Sequence, residues 1–248
     1  MSIESEKDLA GMRRVGKVVA SALREMKARV RPGMTTAELD EIGARVLERH
    51  GARSAPQLVY GFPGINCISL NEEAVLGVPG EGVIAPGDLL KIDVTAALDG
   101  YIADAAVTVA VPPVSTVKRR LRECAESAFW KALAVARAGQ PLYEIGRAVE
   151  TEVRRHKFSV LCELNGHGVG RTIHEEPRAV PNYYDPRRRR PLTDGLVLAI
   201  EPIISAGTRW SVEAADGWTV KTADGSLAAH YEHTVVITRG RPIVLTAA

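Results

Sequence analysis

Cysteine is scarce in this chain of 248 residues: Cys67, Cys124 and Cys162 are far apart, odd in number and contain no CxxC pair. Such a set supports neither a disulfide framework nor a zinc knuckle, and it fits a reducing cytoplasm. Long apolar runs are also missing, for none approaches the ~20 residues a helix needs to cross a bilayer. The first residues, Met1 to Asp8, are charged and acidic, so they read as neither a secretory nor a transit signal. No charge of one sign prevails. With a net charge of +2 there is no general case for a nucleic-acid-binding face, DNA included. The local exception is Arg187-Arg188-Arg189-Arg190, bracketed by Pro186 and Pro191. It reads as a solvated loop or as a contact with RNA phosphates.

Hydrophobic residues make up 46% of the chain. A domain of this size buries roughly 70–75% of its unfolded-chain surface, so its core needs no staple. No linker, charged tail or low-complexity segment divides it, and one domain over residues 1–248 is expected. Leu9, Met12, Val15, Val19, Leu23, Met26 and Val30 follow helical steps after Ser5 and stop at Pro32-Gly33. Thr35 with Glu38 has the form of a capping box, and Leu39, Ile42, Val46 and Leu47 carry a second helix toward Gly51. The grammar returns with Leu121 to Ala136, a break at Gly139-Gln140-Pro141, and a fourth helix through Leu142, Ile145, Val149 and Val153. Residues 31–50 and 137–156 also echo each other, with Gly33 and Gly139 at the third place and Arg-His at the end. The pattern predicts a pseudo-two-fold α+β domain.

Asp88 to Val111 reads as a hairpin turning at Asp99-Gly100. That register sets Thr95 opposite Asp104 and Asp93 opposite Ala106. Asp93 and Asp104 then share a sheet face as diagonal neighbours, with Cβ atoms ~7–8 Å apart or somewhat less. Glu201 ends the apolar run Leu196 to Ile200, and Glu232 lies in the strand-like run His230 to Thr238. Carboxylates in such surroundings are costly unless protonated, paired or bound to a metal. His167 lies between glycines in Asn165 to Gly170, read as a turn where the backbone can approach a ligand. His174 follows in a nearby loop. Each residue alone has an ordinary reading as an ion pair, a solvent-facing turn residue or a structural imidazole. Together, oxygen and imidazole donors without thiolate suit Mn, Fe, Co or Zn in a catalytic site.

At these residues the chain resembles the type I methionine aminopeptidases of the pita-bread fold. The resemblance covers essentially the whole length. It rests on Cys67-Ile68-Ser69-Leu70-Asn71-Glu72, Lys91-Ile92-Asp93-Val94-Thr95, Gly166-His167-Gly168-Val169-Gly170-Arg171, His174-Glu175-Glu176-Pro177, Ile200-Glu201-Pro202, Asp216 to Thr222 and Tyr231-Glu232-His233-Thr234. The interval between His174 and Glu201 leaves no room for the added domain of the type II relatives.

The resemblance implies an antiparallel, pseudo-two-fold sheet covered by two pairs of helices, in a cytoplasmic monomer. It implies two divalent metal ions (Mn, Co, Fe or Zn), with Asp93 on one, Asp104 and Glu232 bridging, and His167 and Glu201 completing the other. A water bridging the two metals would attack the peptide carbonyl, with Glu201 as general base and His174 holding the scissile carbonyl. The substrate would be the N-terminal methionine of peptides and nascent chains. Trp218 would wall its pocket, with Phe62, Cys67 and Val59 nearby. A monovalent cation beside Asn71, Glu73 and Ser226 is a further implication.

One departure bears on rate. The family carries histidine where this chain has Leu76, in Val75-Leu76-Gly77-Val78-Pro79. Leucine cannot hydrogen-bond the substrate amide. Pro56, Val59 and Ile173 also differ from the family's usual Cys, Tyr and aromatic residue. Three readings are open: a slowed or narrowed methionine aminopeptidase, a pita-bread hydrolase with another N-terminal preference, or a catalytically silent metal-binding protein that contacts ribosomes through Arg187 to Arg190.

Overall fold

The computed structural model describes residues 1–247. Helix α1 spans Glu6–Arg29, and its N-cap Ser5 accepts the Asp8 N–H at 3.2 Å. Glu6 and Asp8 in its first turn and Lys27 and Arg29 in its last suit the helix dipole. Its stripe of Met12, Val15, Val19, Leu23 and Met26 is buried. Helix α2, Thr36–Arg49, begins with the expected capping box. The Thr35 hydroxyl accepts the Glu38 N–H at 3.1 Å, and Glu38 accepts the Thr35 N–H at 2.7 Å. In the first half follow β1 (Arg53–Ser54), α3 (Ala55–Tyr60), β2 (Cys67–Leu70), β3 (Glu73–Val75), β4 (Leu89–Leu98) and β5 (Tyr101–Ala110).

The second half repeats the order, with α4 (Thr116–Val135) and α5 (Tyr143–Arg155) preceding the strands. Those strands are β6 (Ser159–Val160), β7 (Asn165–Gly168), β8 (Glu175–Pro181), β9 (Val197–Ile200) and β10 (Ile203–Ser205). The last five are β11 (Ser211–Glu213), β12 (Val220–Thr222), β13 (Ala228–His230), β14 (His233–Val236) and β15 (Ile243–Val244). One core lies between α1, α2 and the β4–β5 hairpin, and includes Met12, Leu39, Ile92 and Ala103. The other lies between α4, α5, β9 and β14, and includes Phe129, Val149, Leu198 and Val235. Each helix pair thus hides the inner face of its own sheet, the α+β arrangement expected from the repeated grammar.

Strand β4 pairs with β5 along its length and with β1 and β2 on its other edge, all antiparallel. Thr95 faces Asp104 and Asp93 faces Ala106, as the turn register predicts. Asp99 and Gly100 both take positive φ, 51° and 77°, the requirement of a tight two-residue turn. A five-stranded antiparallel sheet runs in the order β15-β14-β9-β7-β8. The halves are sewn together by β5. Ala106 and Glu232 exchange backbone hydrogen bonds at 3.3 and 2.9 Å. On either side, Thr234 and Thr108 use their hydroxyls to bridge to the backbone of Asp104 and His230, at 2.7–2.9 Å.

Three local expectations are corrected. His167 does not sit in a turn but in β7, opposite Ala199. A side chain on Gly166 would meet the Ala199 carbonyl, and one on Gly168 the Glu176 carbonyl. These glycines therefore admit neighbouring strands rather than a ligand. The run His230 to Thr238 is not one strand, because Tyr231 and Glu232 separate β13 from β14. Helix α3 is the third difference. Its six residues are too few to show a period, yet Ser54 caps it, Pro56 lies in its first turn and Gly61 ends it at φ 71°.

Candidate metal centre and catalytic cleft

A cleft of about 170 Å³ opens between the halves. Asp93, Asp104, Glu201 and Glu232 line it with His167 and His174. Asp93 and Asp104 come from adjacent antiparallel strands, two register steps apart, and project to the same face. Glu201 leaves the end of β9 before Pro202, and Asn182 holds its carbonyl at 2.8 Å. Glu232 enters from the gap between β13 and β14 and is 1% exposed. His167 donates Nδ1–H to the Gly168 carbonyl at 3.0 Å. Its Nε2 lone pair therefore faces the Glu201 and Asp104 oxygens, at 3.4 and 3.9 Å.

Burial sets the protonation. It pushes Asp93, Glu201 and Glu232 well above the usual carboxylate range, and the charge of Asp104 adds to the rise in each. Asp104 rises less, to about 6, because Thr95 and Asp93 hydrogen-bond it; the Thr95 hydroxyl is at 2.8 Å. Burial also lowers His167 to about 4, with His174 beside it as a lesser cause. The ring is a neutral donor at physiological pH. Cys67, opposite Asp93 on β2, is held as a neutral thiol by burial and the surrounding carboxylates, so it offers no thiolate.

These groups fit divalent cations. Asp93 Oδ1 and Glu232 Oε1 are buried without a hydrogen-bond partner, which is costly for groups that only accept once ionised. Two triads, Asp93-His230-Glu232 and Asp104-His167-Glu232, each bring their donor atoms within 4.8 Å of one another. Glu232 belongs to both. Oxygen and imidazole donors of this kind suit Mn, Fe, Co and Zn.

Two groups at the site, Tyr60 in the cleft lining and His230 beside its carboxylates, escaped the sequence reasoning. Tyr60 contacts His174 Nδ1 at 2.6 Å through its hydroxyl. His230 lies 3.3 Å from Glu232 and 3.6 Å from Glu201 through Nε2. A readable signal existed for His230, since it precedes Glu232 by two residues and so shares its side of an extended chain. Tyr60 needed recognition of α3, which places Pro56 and Tyr60 one turn apart on the cleft side.

The residues expected around methionine are divided between the cleft lining and its surroundings. Cys67, Leu76, Pro56 and Ile173 line the cleft, but Val59, Phe62 and Trp218 do not. Val59 and Tyr60 are equally exposed at 49%, but α3 places only Tyr60 along the cleft. Phe62 is buried against Trp218, edge to face at 5.3 Å. Leu76 is 36% exposed on the rim and takes φ 57°, a left-handed conformation.

The residues expected beside a monovalent cation have protein partners. The Asn71 carbonyl accepts Lys91 Nζ at 2.8 Å, while Lys118 Nζ contacts its side-chain oxygen at 3.2 Å and the Gly87 carbonyl. Glu73 accepts the Leu70 N–H at 2.7 Å, and the Ser226 carbonyl accepts the Thr222 hydroxyl at 2.7 Å.

The arginine loop has structural duties. Arg187 grips Asp185 through Nε and Nη2 at 2.8 and 3.1 Å. The carbonyls of Arg190 and Arg188 accept the N–H groups of Leu142 and Tyr143 at 2.9 and 3.1 Å. They serve the start of α5, which lacks a side-chain cap.

Fold and site together define a metal-dependent hydrolase of the pita-bread architecture. The chain belongs to metallopeptidase family M24, whose sequence profile matches residues 10–239. It is 44% identical to methionine aminopeptidase 2 of Bacillus subtilis over 99% of both chains. The crystal structure of a methionine aminopeptidase from Thermotoga maritima superposes with a TM-score of 0.96 over the whole of both chains, at 34% identity. A prolidase from Pyrococcus furiosus shares the fold alone, at a TM-score of 0.79 and 20% identity, over 99% of this chain and 65% of that one.

Proposed function

We propose that this protein removes the N-terminal methionine from peptides and nascent chains in the cytoplasm, as a single domain with two divalent cations. The observation that supports it most is the cleft itself, where buried carboxylates with unpartnered oxygens meet a neutral imidazole. Asp93, Asp104, Glu232, His167 and Glu201 would hold the cations. Once bound, these supply Lewis acidity that polarises the carbonyl and acidifies water.

The protein's own groups do the rest. Glu201 accepts the proton of the attacking water and passes it to the departing amine. His174 faces the substrate carbonyl with Nε2. The Tyr60 hydroxyl engages Nδ1, which fixes the tautomer and aims the ring. Cys67, Leu76 and Ile173 offer an apolar wall for the methionine side chain. Leu76 brings no hydrogen bond to the scissile amide, so we assign this protein a slower chemical step than a histidine there would allow. The test is release of methionine from a Met-Ala-Ser peptide by protein loaded with Mn²⁺ or Co²⁺. Turnover should exceed that of Glu201→Ala with each metal. Equal rates in the two proteins across several metals would refute the reading.

A further inference from the structure

Among the described residues, His230 is a buried group that the roles assigned so far leave unexplained. It is 1% exposed, and neither ring nitrogen has a hydrogen-bond partner among the described residues. Its backbone is not free to relieve this, because the Thr108 hydroxyl accepts its N–H at 2.9 Å and donates to its carbonyl at 2.7 Å. Strand pairing with β10, where His230 faces Ile203, fixes it further. An apolar core would leave an imidazole unpaired for lack of partners. Here Nε2 instead points at oxygens of Glu232 and Glu201, 3.3 and 3.6 Å away, without making a hydrogen bond to either. That spacing leaves room for an ion between the donors. The three donor atoms of Asp93, His230 and Glu232 all lie within 4.8 Å of one another.

We propose that His230 Nε2 is a ligand of the cation held by Asp93 and Glu232. Each of the two metal positions then has one imidazole, His230 in the first and His167 in the second, with Glu232 shared. A position built from carboxylates alone favours hard cations such as Mn²⁺; adding an imidazole shifts preference toward Co²⁺ and Zn²⁺. The inference rests on the dinuclear reading above, and the test separates the two.

The full-length protein is stripped of metal and titrated with Co²⁺ and with Mn²⁺ by calorimetry, beside His230→Gln and His230→Ala. Proton NMR of the Co²⁺-loaded wild type then counts the exchangeable imidazole N–H signals shifted by the ion. Two are expected in the wild type and one in His230→Gln, where Co²⁺ affinity at one site falls about 10–100-fold and Mn²⁺ affinity falls less. Glutamine retains a hydrogen-bond donor toward Glu232. A wild-type-like His230→Gln beside a weakened His230→Ala would make the residue a mere support for the carboxylates and overturn the assignment. One shifted signal in the wild type with two Co²⁺ bound would overturn it without any variant, so misfolding of a variant cannot shelter it. A wild type that binds no Co²⁺ would instead sink the dinuclear reading.

Discussion

Replacing Leu76 by histidine should raise kcat for methionine release by about 10²–10³, with KM little changed. The size follows from one added hydrogen bond to a group that develops charge in the transition state, worth ~2.7–4 kcal/mol in a preorganised cleft. The position is ready for the exchange. Leu76 lies on the rim with 36% exposure, so no core packing is lost. Its φ of 57° is strained for leucine, whereas histidine is among the residues enriched in the left-handed region. The new side chain would share the cleft with His174 and Glu201. The assay is steady-state release of methionine from Met-Ala-Ser by both proteins, at matched metal content and after thermal melts show both folded. A gain in kcat/KM carried by KM alone would mean the imidazole binds the ground state. Equal kcat in two folded, metal-loaded proteins would refute the reasoning, for the transition-state donor would then come from elsewhere.

Tyr60→Phe should lower kcat about tenfold while metal affinity holds, because His174 loses the hydroxyl at Nδ1 that orients it; unchanged kinetics would remove Tyr60 from the mechanism. Metal binding should release protons and tighten as pH rises. Burial keeps Asp93, Glu201 and Glu232 protonated well above the ordinary carboxylate range, whereas His167, lowered to about 4, is already neutral. The cations must displace the carboxyl protons, so affinity is lost as pH falls. Calorimetry in two buffers of different ionisation enthalpy counts the release, and identical heats in both would contradict it. Thr35→Ala should cost about 1 kcal/mol by breaking the capping box of α2. That corresponds to a Tm drop of about 2–4 °C for a domain of this size, with Thr35→Ser close to wild type in the same melt.

Much of this molecule was legible before folding was considered. The stripes of α1, α2, α4 and α5 and the caps at Ser5 and Thr35 are local signals, read within a turn or two of chain. The β4–β5 register followed from Asp99-Gly100, since a two-residue turn dictates every pairing beyond it. Less legible was short or irregular structure. Helix α3 was missed, which exchanged Tyr60 for Val59 at the cleft. The backbone contacts of the arginine loop with α5 leave no trace in the pattern of side chains, so its part in the fold could not be read.

The sequence by itself determined the four long helices, the repeated halves, the shared face of Asp93 and Asp104, and the kind of chemistry that carboxylates and histidines between apolar runs can support. Only the tertiary structure decided that residues 104–108 of β5 lie against residues 230–234. That pairing spans 122 to 130 positions of chain, and no local propensity encodes it. It brings Glu232 to Asp104 and Asp93 and draws His230 in beside them. Periodicity and turn chemistry act through neighbours in sequence, whereas a metal centre depends on the meeting of distant strands.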